Sequence, residues 1–229
     1  MRIEELNWMD VEAYLKNDDR LMMIVGACEQ HGYLSLMTDI KIPVALADAV
    51  SQRTGVLVAP PLNFGVSPHF GTYPGTISLR LTTFLDALED MIRSVYRYGF
   101  RRLVFLNGHG GNDPARTRIS EMLDGLPGLH VSWYSWWNAP NVTFVAEKHG
   151  LKSYHAAWIE AFPFVRVAEM PAGKKEPAIS REILGAEGSR ALYGDGVFGG
   201  PYRVDDAILD EIFQTAMKDI VGLLTVPAG

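Results

Sequence analysis

The sequence predicts an α/β fold in which a mostly parallel sheet lies between two layers of helices. Short apolar runs, typical of strands buried on both faces, alternate with longer segments whose apolar residues recur at helical spacing. Clusters of polar residues directly follow two of the apolar runs, as in α/β proteins that bind ligands beyond the carboxyl ends of their strands. Together these observations favour a three-layer α/β/α sandwich.

Strands and helices alternate along the chain. The predicted strands are residues 21–27, 55–62, 102–106 and 130–134, and the predicted helices are residues 42–53, 82–98, 114–123, 179–193 and 205–224. The helix over residues 82–98 has the strongest pattern, with an apolar face centred on Leu88. Thr82 and Thr83 are its candidate N-caps, and Gly99 is expected to end it.

Composition and charge exclude several classes of protein. The chain has 229 residues, 48% hydrophobic and 21% charged, so neither disorder nor a bundle of membrane helices is expected. No linker or repeat divides it, and we expect a single domain over residues 1–229 that acts on a small molecule. The net charge of −6 argues against nucleic acid or an anionic membrane as partner. Cys28 is the single cysteine and no targeting signal is visible, so a cytoplasmic location is expected.

Glu29, His31 and Asp39 follow the first predicted strand. Residues two apart in an extended segment point the same way, so Glu29 and His31 are expected to face one site, to which Asp39 returns after a short loop. Carboxylate and imidazole groups bind zinc, manganese or iron. The alternative is a surface glutamate, a capping histidine and an aspartate at a helix N-terminus.

Two further clusters contain histidine. His109 lies in the run Asn-Gly-His-Gly-Gly-Asn after the third strand, where glycine permits close approach to a ligand; the alternative is an ordinary glycine-rich turn. His155 and Glu160 are five residues apart, which on one helix would separate them by about 140°. They reach one site only if His155 precedes the helix or begins it, and a structural histidine is the alternative.

The three clusters together favour a site for two divalent cations. Glu29, Asp39 and Glu160 bring three negative charges, which divalent cations would balance. Two such cations, about 3.5–4 Å apart, activate water and polarise a carbonyl.

These motifs, in this order, resemble those of the creatininase family of metal-dependent hydrolases. The similarity runs from Glu29 to about Glu160 and includes the run Tyr-Pro-Gly-Thr-Ile-Ser-Leu at residues 73–79. It implies a Rossmann-like, creatininase-like sandwich with a dinuclear metal centre bridged by the aspartate. The positions that match the family's metal ligands are Glu29, His31, Asp39 and His109.

The chain departs from the family pattern just after His109 and again shortly before His155. Gly110 and Gly111 stand where creatininases have a tyrosine and a ligand glutamate, so we expect Glu160 to supply the missing ligand. Leu151 and Lys152 replace a Trp-Asp pair that binds creatinine, so creatinine itself is not the expected substrate.

The resemblance implies a hydrolase in which metal-activated water attacks a carbonyl of a small cyclic amide or a related compound. His155 and Glu160 are the expected catalytic residues, and zinc, manganese and iron are the candidate metals. The expected substrate contacts are His69, Tyr73, Ser78 and Trp158, and one tryptophan of the run after the last strand is expected to wall the site. The alternatives are ring opening of a cyclic ketone such as a keto-inositol, and a non-catalytic metal-binding relative. A homo-oligomer, commonly a hexamer in this family, is also implied.

Overall fold

Four parallel strands form the central sheet in a computed structural model, which describes residues 1–225. They are β1 (Arg20–Val25), β2 (Leu57–Val58), β3 (Arg102–Asn107) and β4 (His130–Ser135), in the order β2-β1-β3-β4 across the sheet. β1 and β3 pair along their whole length, from Arg20 opposite Arg102 to Val25 opposite Asn107. This register brings the carboxyl ends of the two central strands to the same edge, and the predicted α/β fold is confirmed.

Helices cover both faces of the sheet. They are α1 (Trp8–Leu15), α2 (Thr38–Thr54), α3 (Leu81–Tyr98), α4 (Ala115–Leu123), α5 (Pro140–Lys148), α6 (Ala186–Tyr193) and α7 (Asp206–Thr225). A small antiparallel ribbon joins β5 (Lys174–Lys175) to β6 (Gly200–Pro201). Within residues 1–225, none of the helices combines the length and apolar character needed to cross a membrane.

Alternate residues of β1 pack on opposite faces of the sheet. Met22 and Ile24 belong to the core formed with α2, α5 and α7, whereas Leu21, Met23 and Val25 belong to the core formed with α3 and α4. All five side chains are at most 1% exposed. Burial on both faces explains why the strand is an uninterrupted apolar run in the sequence.

Several predicted boundaries were wrong. The helix predicted over residues 179–193 exists only as α6, and the strand predicted over residues 55–62 is reduced to β2 because the two prolines that follow have no N–H to donate. Arg80, without a side-chain hydrogen bond, is the N-cap of α3, so Thr82 and Thr83 lie inside that helix. Gly99 does end α3, with φ 115°. The helices α1 and α5 were not predicted.

The helix α2 begins at Thr38, four residues before its predicted start, so Asp39 lies in a helical turn instead of a loop. Two glycines let this turn approach the sheet. A Cβ added at Gly26, just after β1, would lie 2.3 Å from the backbone oxygen of Asp39, and one added at Gly108, just after β3, would lie 1.9 Å from it. Only glycine permits this separation, so these two positions set where the first turn of α2 meets the strand ends.

We expect Gly108→Ala to lower the free energy of unfolding by about 1–3 kcal/mol, because the new methyl group would overlap the Asp39 carbonyl and force α2 to shift. Chemical unfolding of the purified protein measures this change. The matched control is Gly222→Ala in α7, where an added Cβ meets nothing within 4 Å and the higher helix propensity of alanine should raise stability. Equal stabilities of the two variants would contradict the close approach of α2.

Candidate metal centre

Four of the predicted metal ligands meet at the carboxyl edge of the sheet. Glu29 and His31 follow β1, His109 follows β3, and Asp39 comes from the first turn of α2. Each is at most 5% exposed. The burial of four ionisable side chains in one place is costly unless they are paired with one another or with a cation.

Asp39 lies between two imidazole rings. Its Oδ1 is 2.9 Å from Nε2 of His31, and its Oδ2 is 3.1 Å from Nδ1 of His109. Glu29 Oε1 lies 3.4 Å from the same atom of His109, and Glu160 Oε1 lies 3.7 Å from Nε2 of His31. Among the described residues, three groups of three potential ligands result, and Asp39 belongs to two of them, one with Glu29 and His109 and one with His31 and Glu160; the third group is Glu29, His31 and His155.

The outer nitrogen of each ring contacts a backbone carbonyl. Nδ1 of His31 donates to the carbonyl of Glu29 at 3.2 Å, and Nε2 of His109 donates to the carbonyl of Val66 at 2.9 Å. Because a carbonyl only accepts, each neutral ring carries its proton on the outer nitrogen and presents a lone pair to Asp39. A positive charge must therefore lie at each contact, either as a proton on the inner nitrogen or as a metal ion that the nitrogen and the carboxylate oxygen both bind.

Buried atoms without a hydrogen-bond partner point to the same place. Six buried side-chain atoms of the described residues have none, and three of the six lie here: Glu29 Oε2, His31 Nε2 and Asp39 Oδ2. Such orphaned atoms are rare in proteins and call for an explanation, for example an ion. The donor set of imidazole and carboxylate fits a divalent transition metal.

Without a metal, protons on the His31 and His109 rings supply the positive charge that balances the carboxylates. Burial lowers the pKa of His31, but the carboxylates of Asp39 and Glu160 outweigh it and raise this pKa well above its usual value. Burial also lowers the pKa of His109, but the carboxylates of Glu29 and Asp39 outweigh this effect and raise the pKa well above its usual value. Burial raises the pKa of Asp39, yet the two imidazolium rings lower it below its usual range. The site is therefore a strong attractor of cations.

The two asparagines of the Asn-Gly-His-Gly-Gly-Asn run hold its turn in place. Asn107 Oδ1 accepts from the backbone N–H of His109 at 3.1 Å. Asn112 donates from Nδ2 to the carbonyl of Gly26 at 3.1 Å and accepts at Oδ1 from the N–H of Val66. The turn after β3 is thus tied to the turn after β1, which fixes His109 relative to Glu29 and His31.

The position that bears a ligand glutamate in creatininases is closed to any side chain here. A Cβ added at Gly111 would lie 2.0 Å from the carbonyl oxygen of Val66 and 2.5 Å from Nε2 of His109. A carboxylate for the second group of ligands must come from another segment. Glu160 is the carboxylate that the fold brings there.

Glu160 reaches the site from a single 3₁₀ turn, Trp158–Glu160. Its Oε2 accepts a hydrogen bond of 2.6 Å from the backbone N–H of Ala156, which leaves Oε1 facing His31. Ala156 has φ 58°, a left-handed conformation that is uncommon for a residue other than glycine. His155 precedes this turn. The five-residue spacing requires that position if His155 and Glu160 are to face one site.

His155 lies beside the predicted ligands among aromatic rings. Its ring centroid is 4.6 Å from that of His31 and 4.8 Å from that of Phe70, on which it stacks at 19°. Its Nδ1 is 3.8 Å from Glu29 Oε1. Burial, helped by the charge of His31, lowers the pKa of His155, so this imidazole is neutral near pH 7.

A cavity of about 330 Å³ opens onto these side chains. Its walls beyond the predicted ligands are mostly aromatic, and they include His69, Phe70, Trp137, Tyr154 and Phe198. His69, an expected substrate contact, therefore lies in the cavity, and Trp137 is the tryptophan that walls it. Sequence reasoning missed Phe70 and Phe198; the glycine-rich run over residues 194–200 around Phe198 was the available signal.

Three expected substrate contacts do not line this cavity. Trp158 is fully buried in the core and donates from Nε1 to the carbonyl of Lys152, because the 3₁₀ turn that aims Glu160 at the site aims Trp158 away from it. Ser78 is exposed, and its hydroxyl oxygen accepts from the backbone N–H of Ser67. The Tyr73 hydroxyl is buried outside the cavity lining. These expectations are corrected.

Comparison with known proteins identifies the family. The creatininase sequence profile, described as creatinine amidohydrolase, matches residues 4–224, and the chain belongs to this family. The creatinine amidohydrolase of Pseudomonas putida is 38% identical over 117 residues, which are 48% of this chain and 45% of that protein. The mycofactocin precursor peptide peptidase of Mycobacterium tuberculosis is 29% identical over 88% of this chain and 82% of its own length. The 3-dehydro-scyllo-inosose hydrolase of Thermotoga maritima is 32% identical over 64% and 48%.

Solved structures agree with this assignment. A crystal structure of creatinine amidohydrolase superposes with a TM-score of 0.83 at 26% identity and covers 96% of this chain and 95% of its own. A creatininase variant described as Zn-Zn type superposes with a TM-score of 0.82 at 25% identity and covers 96% of this chain and 95% of its own. A structure described as creatininase Mn superposes with a TM-score of 0.81 at 25% identity and covers 96% of each chain. The expected enzyme class, a hydrolase of the creatininase family, is confirmed.

We expect zinc binding to the metal-free protein at neutral pH to release protons, about one from each of His31 and His109. The raised pKa of each ring keeps it protonated there, and a metal binds only the deprotonated ring. Calorimetric titration in buffers of different ionisation enthalpy counts the protons. The control His130→Ala removes an exposed histidine and should release the same number. Binding without proton release would contradict the charge state described here.

Proposed function

We propose that the chain is a metal-dependent hydrolase with two divalent cations, one held by Glu29, Asp39 and His109 and the other by His31, Asp39 and Glu160. The position of Asp39 is the main support, because each of its carboxylate oxygens faces the inner nitrogen of a different imidazole. Zinc, manganese and iron suit this mixture of nitrogen and oxygen ligands. Relatives described as Zn-Zn and Mn forms favour the first two.

A pair of such cations supplies Lewis acidity toward a carbonyl and makes water a competent nucleophile near neutral pH. The protein's own contribution is placement and exclusion of solvent. The rings of Phe70, Trp137 and Phe198 form apolar walls beside the charged side chains, which suits a planar substrate and strengthens electrostatic interactions there. His155 is neutral and faces Glu29, where it can hold a proton beside the reacting atoms during bond cleavage.

The substrate we favour is a small cyclic amide. A cavity of about 330 Å³ is near the lower end of the usual range for ligand sites, about 300–1,000 Å³, and suits a single ring. Hydrolysis adds water to the carbonyl carbon, breaks the C–N bond and delivers a proton to the departing nitrogen. The added water is the source of that proton, and His155 is a neutral side chain beside the metal centre.

Ring opening of a cyclic ketone, with cleavage of a C–C bond, is the second candidate. The similarity to the 3-dehydro-scyllo-inosose hydrolase of T. maritima favours it. A panel of cyclic amides, formamides, keto-inositols and short peptides, tested on zinc- and manganese-loaded protein with product analysis by mass spectrometry, distinguishes the candidates. Turnover of none of the panel by loaded protein would contradict the proposed function.

We expect Glu160→Gln to bind one metal per chain in place of two and to lose most activity, because the second cation would keep only His31 and the bridging Asp39. His155→Ala should keep both metals and lose turnover. Elemental analysis of protein purified without chelator measures metal content, and Glu147→Gln, an exposed glutamate of α5, is the matched control. Two tightly bound metals in Glu160→Gln would show that Glu160 is not a ligand.

Creatinine should be a poor substrate, with kcat at least about 100-fold below the ~10 per second of a typical enzyme. Gly111 offers no carboxylate, and neither Leu151 nor Lys152 lines the cavity. Colorimetric detection of creatine formed by the metal-loaded protein measures this rate. Turnover within the range of ordinary enzymes would contradict the prediction.

A further inference from the structure

Gln30 lies between Glu29 and His31 but turns away from them, and it is only 5% exposed. Its Oε1 accepts from the backbone N–H of Gly32 at 3.1 Å, and its Nε2 donates to the carbonyl of Gly196 at 3.1 Å. A backbone N–H can only donate and a carbonyl can only accept, so these contacts fix which end of the amide is oxygen and which is nitrogen.

The second hydrogen of the fixed amide points to His155. The Nε2 atoms of Gln30 and His155 are 3.0 Å apart. An amide nitrogen only donates, so the histidine nitrogen must accept and cannot carry a proton. At the other end of the ring, Nδ1 lies 3.8 Å from the carboxylate of Glu29, which favours a proton on Nδ1.

We infer that Gln30 is a positioning residue that holds His155 in the tautomer with its proton on Nδ1 and turns that proton toward the metal centre. The inference rests on the proposed function for its consequence, because a neutral ring held in this tautomer offers an Nδ1–H hydrogen bond to the reacting atoms and keeps its proton, whose loss would leave an imidazolate. One competing contact exists: the backbone carbonyl of Gln30 lies 3.3 Å from Nε2 of His155. It is the longer of the two contacts, and a nitrogen that accepts from the amide has no proton to donate to the carbonyl.

The surroundings keep Gln30 in this arrangement. A Cβ at Gly196 would lie 1.7 Å from Gln30 Oε1, so the loop packs directly on the amide. Asp195 anchors that loop, since it accepts hydrogen bonds from Lys175 and from the Tyr202 hydroxyl. A rigid partner holds a neutral imidazole in one tautomer better than a mobile one does, because its hydrogen bond is always in place.

The tautomer can be observed without a substrate. Two-bond ¹H–¹⁵N correlation spectra of zinc-loaded protein labelled with ¹⁵N-histidine, recorded at alkaline pH, distinguish the two neutral forms, and His155→Ala assigns the signals. We expect the Nδ1–H pattern in the native protein. Gln30→Met, which removes the donor, and Gln30→Glu, which replaces it by an acceptor, should both shift His155 to the Nε2–H pattern. An Nε2–H pattern in the native protein would overturn the inference.

Kinetics give a second readout on whichever panel substrate the native protein hydrolyses. Both Gln30 variants should keep two metals while kcat falls about 10–100-fold with little change in KM, the size expected for a partner that orients a functional group. The control Gln52→Met alters an exposed glutamine of α2 and should change neither. If the native protein is active, His155→Ala is inactive and both Gln30 variants keep native activity, then the role of Gln30 is refuted while the proposed function stands. Native protein that is inactive on the panel would refute the proposed function and leave the spectra to decide the tautomer.

Discussion

The site depends on the contact between the Asp39 backbone and the two glycines that follow the central strands. Pro43, four residues on in α2, has no N–H to donate to the Asp39 carbonyl. That oxygen instead lies against Gly26 and Gly108, closer than any side chain would allow. The contact holds the amino end of a helix at the carboxyl edge of the sheet, where the positive end of the helix dipole also favours the Asp39 carboxylate.

The local pattern of the sequence was enough to predict the elements nearest to this contact. Apolar runs located β1 and β3, and alternation along an extended segment placed Glu29 beside His31. The start of α2 could not be predicted in the same way. Its first residues are polar or β-branched, and the turn is stabilised by its packing on Gly108, a contact between residues 69 positions apart that no local pattern records.

The walls of the cavity were hardest to predict for the same reason. Phe70 and Phe198 flank His155 although they come from distant segments. The neighbours of Phe70 in the sequence do not distinguish it from a core residue, and the glycines around Phe198 are its only signal. Trp158 shows the opposite error. Its position near His155 suggested a substrate contact, but the left-handed conformation of Ala156 rotates the chain so that Glu160 faces the site and Trp158 enters the core. A positive φ at alanine has no sequence signal.

The same short segment connects the two halves of the proposed chemistry. Glu160 accepts a hydrogen bond from Ala156, the residue after His155, so a displacement of the carboxylate toward a cation moves the backbone that bears the histidine. A ligand at position 111 would have no such link, because that position belongs to the turn after β3, which the asparagine hydrogen bonds tie to β1. If Glu160 supplies the carboxylate as proposed, this hydrogen bond would couple the second group of ligands to the placement of His155.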